Sequence, residues 1–239
     1  SEGVSWLTEY GHTVHEANPN IVPLKVEDKW VKDLSGTTLS FMKITFGTKL
    51  TKKLGKFSRT GKILFTHFGL SGPLILNASY EVKQLLAGGQ VHATIDMYPD
   101  TDIGTLRNRV LESFNINKNK ELRNVLKEFV PHGMDEAVAA QFDSEMKTMR
   151  VHSVGKEERL ELVNRLKAMP LTITGTMGLD RAVISDGGVD MSEVDTKTMQ
   201  SKKVPNLYFT GDVLHINRPS GGFSLQLCWT TGWVAGQSV

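Results

Sequence analysis

The chain has only one cysteine, Cys228, in 239 residues, and none of its apolar runs approaches the length of a membrane span. One cysteine cannot form a disulfide within the chain and is typical of a reducing compartment. A helix that crosses a bilayer needs about 20 apolar residues in succession. The first residues show no signal-peptide pattern, and Ser1 is not an initiator Met. We therefore expect an excised part of a longer, cytoplasmic protein with no membrane partner.

Net charge is also nearly absent, since 28 Lys and Arg residues are balanced by 26 Asp and Glu residues to give +2. This balance does not require a polyanionic partner, and nucleic acid is not expected as one. A hydrophobic content of 39% and the length of the chain indicate a globular protein with a substantial core and one or two domains.

Alternating apolar and polar residues predict half-buried strands in the first part of the chain, at Thr38–Phe46 and Val91–Met97. A helix is predicted over Leu74–Leu86, because Pro73 suits its first turn and two glycines follow its end. From residue 99 to residue 169 the apolar spacing becomes helical and predicts about four helices.

Two details of the helical part can be tested against a structure. The first helix is expected to be capped by Asp100 or Thr101, and the last to bury Leu160, Val163 and Leu166. Strand character then returns at 171–174 and 182–185. We therefore predict an α+β fold, in which a β-barrel (residues 23–98 and 170–190) carries an inserted helical subdomain (99–169).

The end of the chain has the most informative pattern. Asn206–Phe209 predicts a short strand that leads to Gly211–Asp212, and Gly221–Gly222 opens a helix predicted over Leu225–Ala235. A carboxylate after a strand can hold the hydroxyls of a sugar-like chain, and a helix N-terminus favours negative charge. The pattern indicates either the closing half of a dinucleotide site, for a flavin, or a plain turn. The opening half of such a site, a Gly-x-Gly-x-x-Gly turn, is absent from the sequence.

Several stretches, in the same order, resemble one family over nearly the whole chain. They are Gly11–Val14, Ile21–Leu24, Phe65–Pro73, Gly187–Val189, Glu193–Asp195, Thr198–Lys202 and the closing segment. They resemble bacterial flavoproteins known as BaiN/YhiN-like, or aminoacetone-oxidase-family, NAD(P)/FAD-dependent oxidoreductases. The resemblance implies a longer protein whose Rossmann-like FAD domain is split by a long insertion. This chain would be the insertion together with residues 1–22 and 191–239 of the FAD domain.

The same resemblance implies FAD as the cofactor, and hydride transfer between NAD(P)H and a small organic substrate. Because the turn that would hold the FAD pyrophosphate is absent, the chain alone is expected to be inactive and to bind FAD weakly or not at all.

The cofactor-binding residues that the resemblance implies are Gly211, Asp212, Gly221, Gly222, Phe223, Ser224 and Leu225. Asp212 would hold the ribityl chain, and the residues after Gly221 would face the flavin ring. Asp212 replaces the family's usual Glu, and His215 its usual Asp. Phe223–Ser224 replaces a Tyr-Asn pair, so that one hydroxyl and one amide are missing near the ring.

No catalytic acid or base is assigned from the sequence. His67 is the one candidate, because a histidine titrates near neutral pH; the alternative is a loop histidine bonded to the backbone. Cys228 is either a thiol beside the flavin or a buried structural residue. His12 and His15 fall on opposite faces of a predicted strand, so no metal site is predicted.

A basic run from Lys49 to Lys62 offers an alternative function. It is not a phosphate-binding P-loop, since five residues separate Gly55 from Gly61 and no Ser or Thr follows the lysine. The run contains Phe57 and no acidic residue. It is either a solvated loop or the contact surface of a non-catalytic barrel module that binds RNA or a protein partner.

Overall fold

A computed structural model describes residues 2–47, 56–178, 181–182, 184–219 and 221–239. The chain forms two compact units, one of Pro23–Thr176 and one of Ser1–Val22 with Met177–Val239. The strands are β1 (Val14–Asn20), β2 (Leu24–Val26), β3 (Thr38–Gly47), β4 (Phe57–Thr66), β5 (Gly69–Ser71), β6 (Val91–Asp96), β7 (Met169–Thr176) and β8 (Ile184–Val189). The helices are α1 (Glu2–Glu9), α2 (Lys29–Asp33), α3 (Pro73–Leu86), α4 (Ile103–Ile116), α5 (Leu122–Leu126), α6 (Asp135–Ala139), α7 (Ser144–Thr148), α8 (Lys156–Lys167) and α9 (Phe223–Gly236).

The larger unit is built on a closed barrel with the strand order β2-β5-β4-β3-β6-β7. Neighbouring strands are antiparallel, and β3 and β4 pair from Thr38 opposite Leu64 to Phe46 opposite Phe57. Alternate side chains fill the core because successive residues of a strand point to opposite faces. Those that are wholly buried include Ile44, Phe46, Ile63, Phe65 and Ile95. The predicted α+β fold with a β-barrel and helices is confirmed.

The helical region between β6 and β7 differs in detail from the prediction. Residues 121–149 form three short helices, so the region has five α-helices in all, α4 to α8. The N-cap of α4 is Asp102 and not Asp100 or Thr101, because Asp102 Oδ1 accepts a hydrogen bond from the N–H of Thr105 at 2.9 Å. Leu160 is 45% exposed. Leu162, four residues before Leu166 and on the same helix face, is buried in its place.

The smaller unit contains a two-stranded antiparallel sheet, in which Val14 of β1 lies opposite Val189 of β8. The last barrel strand, β7, therefore ends at Thr176, and β8 within the predicted range 170–190 lies outside the barrel because it pairs with β1. The predicted strand Asn206–Phe209 is wrong: Tyr208 makes only an isolated bridge, with Gln200. Asn206 has a φ of +62°, which interrupts an extended backbone. No helix in the described ranges is long and apolar enough to cross a membrane.

Candidate functional site

The turn at Gly211 is fixed to the side of α9 by two contacts. Gly211 has a left-handed φ of +68°, and its N–H donates a hydrogen bond to Oγ1 of Thr231 at 2.9 Å. A Cβ at this position would lie 2.9 Å from Sγ of Cys228, which is too close for a side chain. The position therefore needs glycine for its backbone conformation and for its close approach to the helix. Asp212 follows within a 3₁₀ turn, Gly211–Val213.

The start of α9 is open. Gly222 is its N-cap with a φ of +92°, and Gly221 before it has a φ of +108°. A Cβ added at either glycine would meet no atom within 4 Å, in contrast to Gly211. Glycine has no side chain with which to cap the first N–H groups of the helix. A flat or electron-rich ligand can therefore approach the backbone closely at this end of α9.

Arg218 connects the Gly211–Asp212 turn to the start of α9, and the sequence analysis did not identify it. Its side chain is only 6% exposed. Its Nη2 donates to Oδ1 of Asp212, its Nε to Oγ of Ser224 at 2.9 Å, and its Nη1 to the carbonyl oxygen of Ile216 at 2.6 Å. The sequence does hold a signal for this ion pair, because Asp212 and Arg218 are the only charged residues after Lys203.

The predicted residues Gly211–Asp212 and Gly221–Leu225 therefore lie around one junction. The carboxylate of Asp212 stays 61% exposed although one of its oxygens is bonded to Arg218. Phe223 and Leu225 are 54% and 59% exposed. The set of groups fits a flavin: a helix N-terminus and a cation suit the electron-rich edge of the ring, and a carboxylate suits sugar hydroxyls. That these residues bind a cofactor stays a prediction.

A second polar cluster, of His12, Glu193 and Ser201, has the residue types of a catalytic triad but no available nucleophile. His12 is buried, with Nδ1 2.8 Å from Oε2 of Glu193 and Nε2 3.0 Å from Oγ of Ser201. The Ser201 hydroxyl also accepts hydrogen bonds from the N–H groups of Lys203, at 3.0 Å, and Val204, at 2.8 Å. Since these bonds occupy its lone pairs, and the residue is buried, Ser201 is not a nucleophile. The hydrogen bonds of this cluster connect residues 11–13 to residues 193–204.

Charge in this cluster is concentrated on Glu193. Lys203 donates to Oε1 of Glu193 at 2.6 Å, and the N–H of Thr13 donates to Oε2 at 3.0 Å. The hydrogen bonds from Lys203, followed by those from Thr13, lower the pKa of Glu193 from 4.5 to about 2. Glu193 therefore stays ionised throughout the physiological range and keeps the buried imidazole of His12 in one orientation.

His15, which lies in β1, makes a separate contact. Nε2 of His15 is 2.9 Å from Oδ2 of Asp190, and its ring stacks on that of His215 with 4.0 Å between centroids. Hydrogen bonds from Ser192 and then His15 hold the pKa of Asp190 well below its usual range. In the part of the chain that the structure describes, no three His, Cys, Asp or Glu residues are grouped so as to bind a metal ion.

The remaining candidates are placed as follows. His67 is exposed in the turn between β4 and β5, with its ring edge-on to Phe68, and belongs to the barrel unit rather than the unit of the Gly211 turn. Cys228 is half-buried, and its Sγ lies against Gly211.

Lys49, Lys52 and Lys53 of the basic run lie outside the described residues. Arg59, within them, pairs with Glu81 and lies 5.0 Å above the Phe57 ring.

The sequence of this chain matches one family model and several curated proteins. The family model described as "HI0933-like protein barrel and H2TH domain" matches residues 18–184. The ribosomal RNA dihydrouridine synthase of Escherichia coli is 26% identical over 237 residues, which are 99% of this chain and 56% of that protein. The protein of the same name from Haemophilus influenzae is 27% identical over 239 residues, 99% of this chain and 55% of its own length.

A relative with a different name is equally similar. The 3-dehydro-bile acid delta(4,6)-reductase of Clostridium scindens is 26% identical over 245 residues, 99% of this chain and 57% of that protein. The chain thus spans little more than half the length of the curated relatives it matches.

Proposed function

The chain belongs to the HI0933-like protein barrel and H2TH domain family, whose members include relatives of FAD-dependent oxidoreductases, and from this membership we propose that it is part of such an oxidoreductase. Because the chain covers 55% to 57% of its relatives, the activity is proposed for a longer protein that contains it. The narrower BaiN/YhiN-like assignment, with FAD as cofactor, is part of this proposal.

The observation that carries the proposal is the junction between the Gly211–Asp212 turn and the open start of α9. A bound flavin would accept a hydride from NADH or NADPH and deliver it, with a proton, to a substrate double bond, so that the nicotinamide is oxidised and the double bond reduced. In this chain, Asp212 would accept hydrogen bonds from the ribityl hydroxyls. Gly221–Gly222 would admit the ring, and the N–H groups of the first turn of α9 would donate to its electron-rich edge.

The substrate proposed first is a small organic molecule with a reducible double bond. Two relatives are named as dihydrouridine synthases and one as a bile acid reductase, and both names describe the reduction of a substrate. Reduction of a substrate double bond is therefore the reaction class that we propose, with a nicotinamide nucleotide as the source of hydride, and the bile acid reductase is the relative that favours a small molecule. No catalytic acid is assigned in this proposal; His67, exposed in the turn between β4 and β5, stays an untested candidate.

The charge distribution favours RNA as a second candidate substrate. Residues 23–176 hold 23 Lys and Arg against 17 Asp and Glu, whereas the rest of the chain holds 5 against 9. The near-neutral total therefore conceals a basic barrel unit and an acidic second unit. An excess of cations on one unit attracts the phosphates of RNA.

The test of the proposed function is spectroscopic. The longer protein should purify with the visible absorption bands of oxidised flavin, release FAD on denaturation, and oxidise NADH or NADPH when a substrate is present. An exposed control variant, Glu112→Gln, should keep the flavin. A protein that stays colourless after incubation with FAD would refute the proposal.

A separate assay decides between the two substrates. Ribosomal RNA from a strain that lacks the gene is incubated with the holoenzyme and NADPH, and its nucleosides are analysed by mass spectrometry. Formation of dihydrouridine supports RNA as the substrate; no dihydrouridine alongside reduction of a small enone supports the first candidate. RNA binding by a protein that takes up no flavin would favour the non-catalytic barrel module instead.

A further inference from the structure

We propose that Arg218 is a positioning residue that fixes the Asp212 carboxylate against the start of α9 and adds a permanent positive charge to the flavin site. The inference rests on the proposed function and deepens it. It assigns a role to a residue that neither the sequence pattern nor the family resemblance marks as part of the site. Arg218 becomes, on this view, part of the cofactor site.

The first step in the argument is the arrangement of hydrogen bonds around the guanidinium. All three of its nitrogens donate: one to the side chain of Asp212, one to the side chain of Ser224 in the first turn of α9, and one to the backbone at Ile216. A planar fork of this kind fixes its partners in direction as well as distance. Arg218 therefore holds the two halves of the candidate site at a constant separation.

The second step concerns burial. The Arg218 side chain is 6% exposed, yet its anionic partner, Asp212, is 61% exposed. A buried guanidinium needs compensation for its lost hydration, and a half-solvated carboxylate supplies only part of it. The arginine also lies against a helix N-terminus, which carries positive potential itself. Two positive groups at one place favour a ligand that brings negative charge to them.

The third step connects this charge to redox chemistry. The edge of the flavin ring near N1 and the C2 carbonyl gains negative charge when the ring is reduced, and nearby cations stabilise that state. A fixed arginine should therefore raise the reduction potential of the bound flavin as well as its affinity. Asp212 would then hold the ribityl hydroxyls and offset part of the arginine charge at the same time.

The test uses substitutions that separate charge, geometry and folding. In the longer protein, Arg218→Gln removes the charge, Arg218→Lys keeps the charge but not the fork, and Ser224→Ala removes one anchor. Arg150→Gln, at an exposed arginine of the helical region, is the matched control. The measurements are the Kd for FAD, the midpoint potential of the bound flavin, and the melting temperature without FAD.

We expect Arg218→Gln to raise the Kd for FAD by about tenfold and to lower the midpoint potential. Arg218→Lys should keep most of the potential but lose affinity, Ser224→Ala should lose affinity more mildly, and Arg150→Gln should change neither. If Arg218→Gln does not fold, Arg218→Lys and Ser224→Ala still test the positioning role, since both keep the charge and should weaken FAD binding. The Asp212→Asn and Arg218→Gln effects on affinity should also be strongly non-additive, since each removes the same contact.

Two results would overturn the inference, and they are distinguishable. In the first, the wild-type protein binds FAD, and the Arg218 variants keep its Kd and midpoint potential but melt at a lower temperature. Arg218 then stabilises the fold without acting on the cofactor, and the proposed function survives. If the wild-type protein binds no FAD, the proposed function fails, and the role of Arg218 fails with it.

Discussion

At the scale of single residues, the candidate site depends on backbone conformations that only glycine adopts cheaply. The sequence predicted Gly211, Gly221 and Gly222 as site residues, and the structure gives all three a positive φ. It could not predict Arg218, because no spacing rule says that the loop after Asp212 folds back on the helix that follows. The arginine is visible in the sequence only as an isolated charge in an uncharged region.

The contact of Gly211 with α9 leads to the first prediction. Gly211→Ala should destabilise the chain by about 1–3 kcal/mol, because alanine is strained at this φ and its Cβ would press on Cys228. Urea unfolding followed by tryptophan fluorescence measures the effect. Cys228→Ala should recover part of the loss in the double variant. Gly232→Ala, in the middle of α9 with open space beside it, should not be destabilising. Equal costs at the two glycines would contradict this account of the turn.

Glu193 leads to a prediction about pH. Its pKa falls from 4.5 to about 2 on folding, so its contribution to stability is complete above pH 4.5 and is lost as the pH falls through about 2. Glu193→Gln should therefore lower the melting temperature at neutral pH and flatten its decline between these pH values. The exposed Glu112→Gln serves as the control. An unchanged slope in Glu193→Gln would show that the contact with Lys203 and His12 does not stabilise the fold.

At the scale of elements, prediction succeeded where the pattern was long and regular. The alternation of 38–46 and the flanking signals of α3 identified their elements because the apolar spacing persists over most of each one. In β3 the alternation is broken once, by an irregularity between Leu39 and Met42. It failed for α5, α6 and α7, each five residues long, because a single turn or two carries too few apolar positions to show a period. It also failed at 206–209, where apolar residues without a partner strand do not form a ladder.

The start of α4 gives an element-scale prediction. Three candidate N-cap residues, Asp100, Thr101 and Asp102, follow one another. Only the carboxylate of Asp102 is the cap, because it accepts hydrogen bonds from both the N–H and the hydroxyl of Thr105. Asp102→Ala should lower the melting temperature by about 2–4 °C because it leaves an N–H of the first turn unsatisfied. Asp100→Ala, two residues earlier, should be neutral. Thermal denaturation followed by circular dichroism distinguishes the two, and a larger loss for Asp100→Ala would reverse the assignment.

At the scale of the whole molecule, the chain combines a unit built on a closed barrel with a second unit whose sheet, among the described residues, has two strands. The barrel has no free strand edge, since its six strands close on each other. The second unit has a two-stranded sheet and α9, in which Trp229 and Trp233 are 67% and 68% exposed. Large exposed aromatic side chains on one helix are typical of a surface that is covered by another element.

The last prediction follows from this contrast. In the proposed function this chain would supply the ribityl and ring side of the flavin site, but its sequence contains no Gly-x-Gly-x-x-Gly turn for the pyrophosphate. We therefore expect its Kd for FAD to be weaker than about 1 μM, while a longer protein that supplies this turn binds more tightly. Titration of FAD fluorescence against both proteins measures the difference, with Asp212→Asn as the control for specific binding. Equal affinity in the two proteins would mean that these residues form a complete site by themselves.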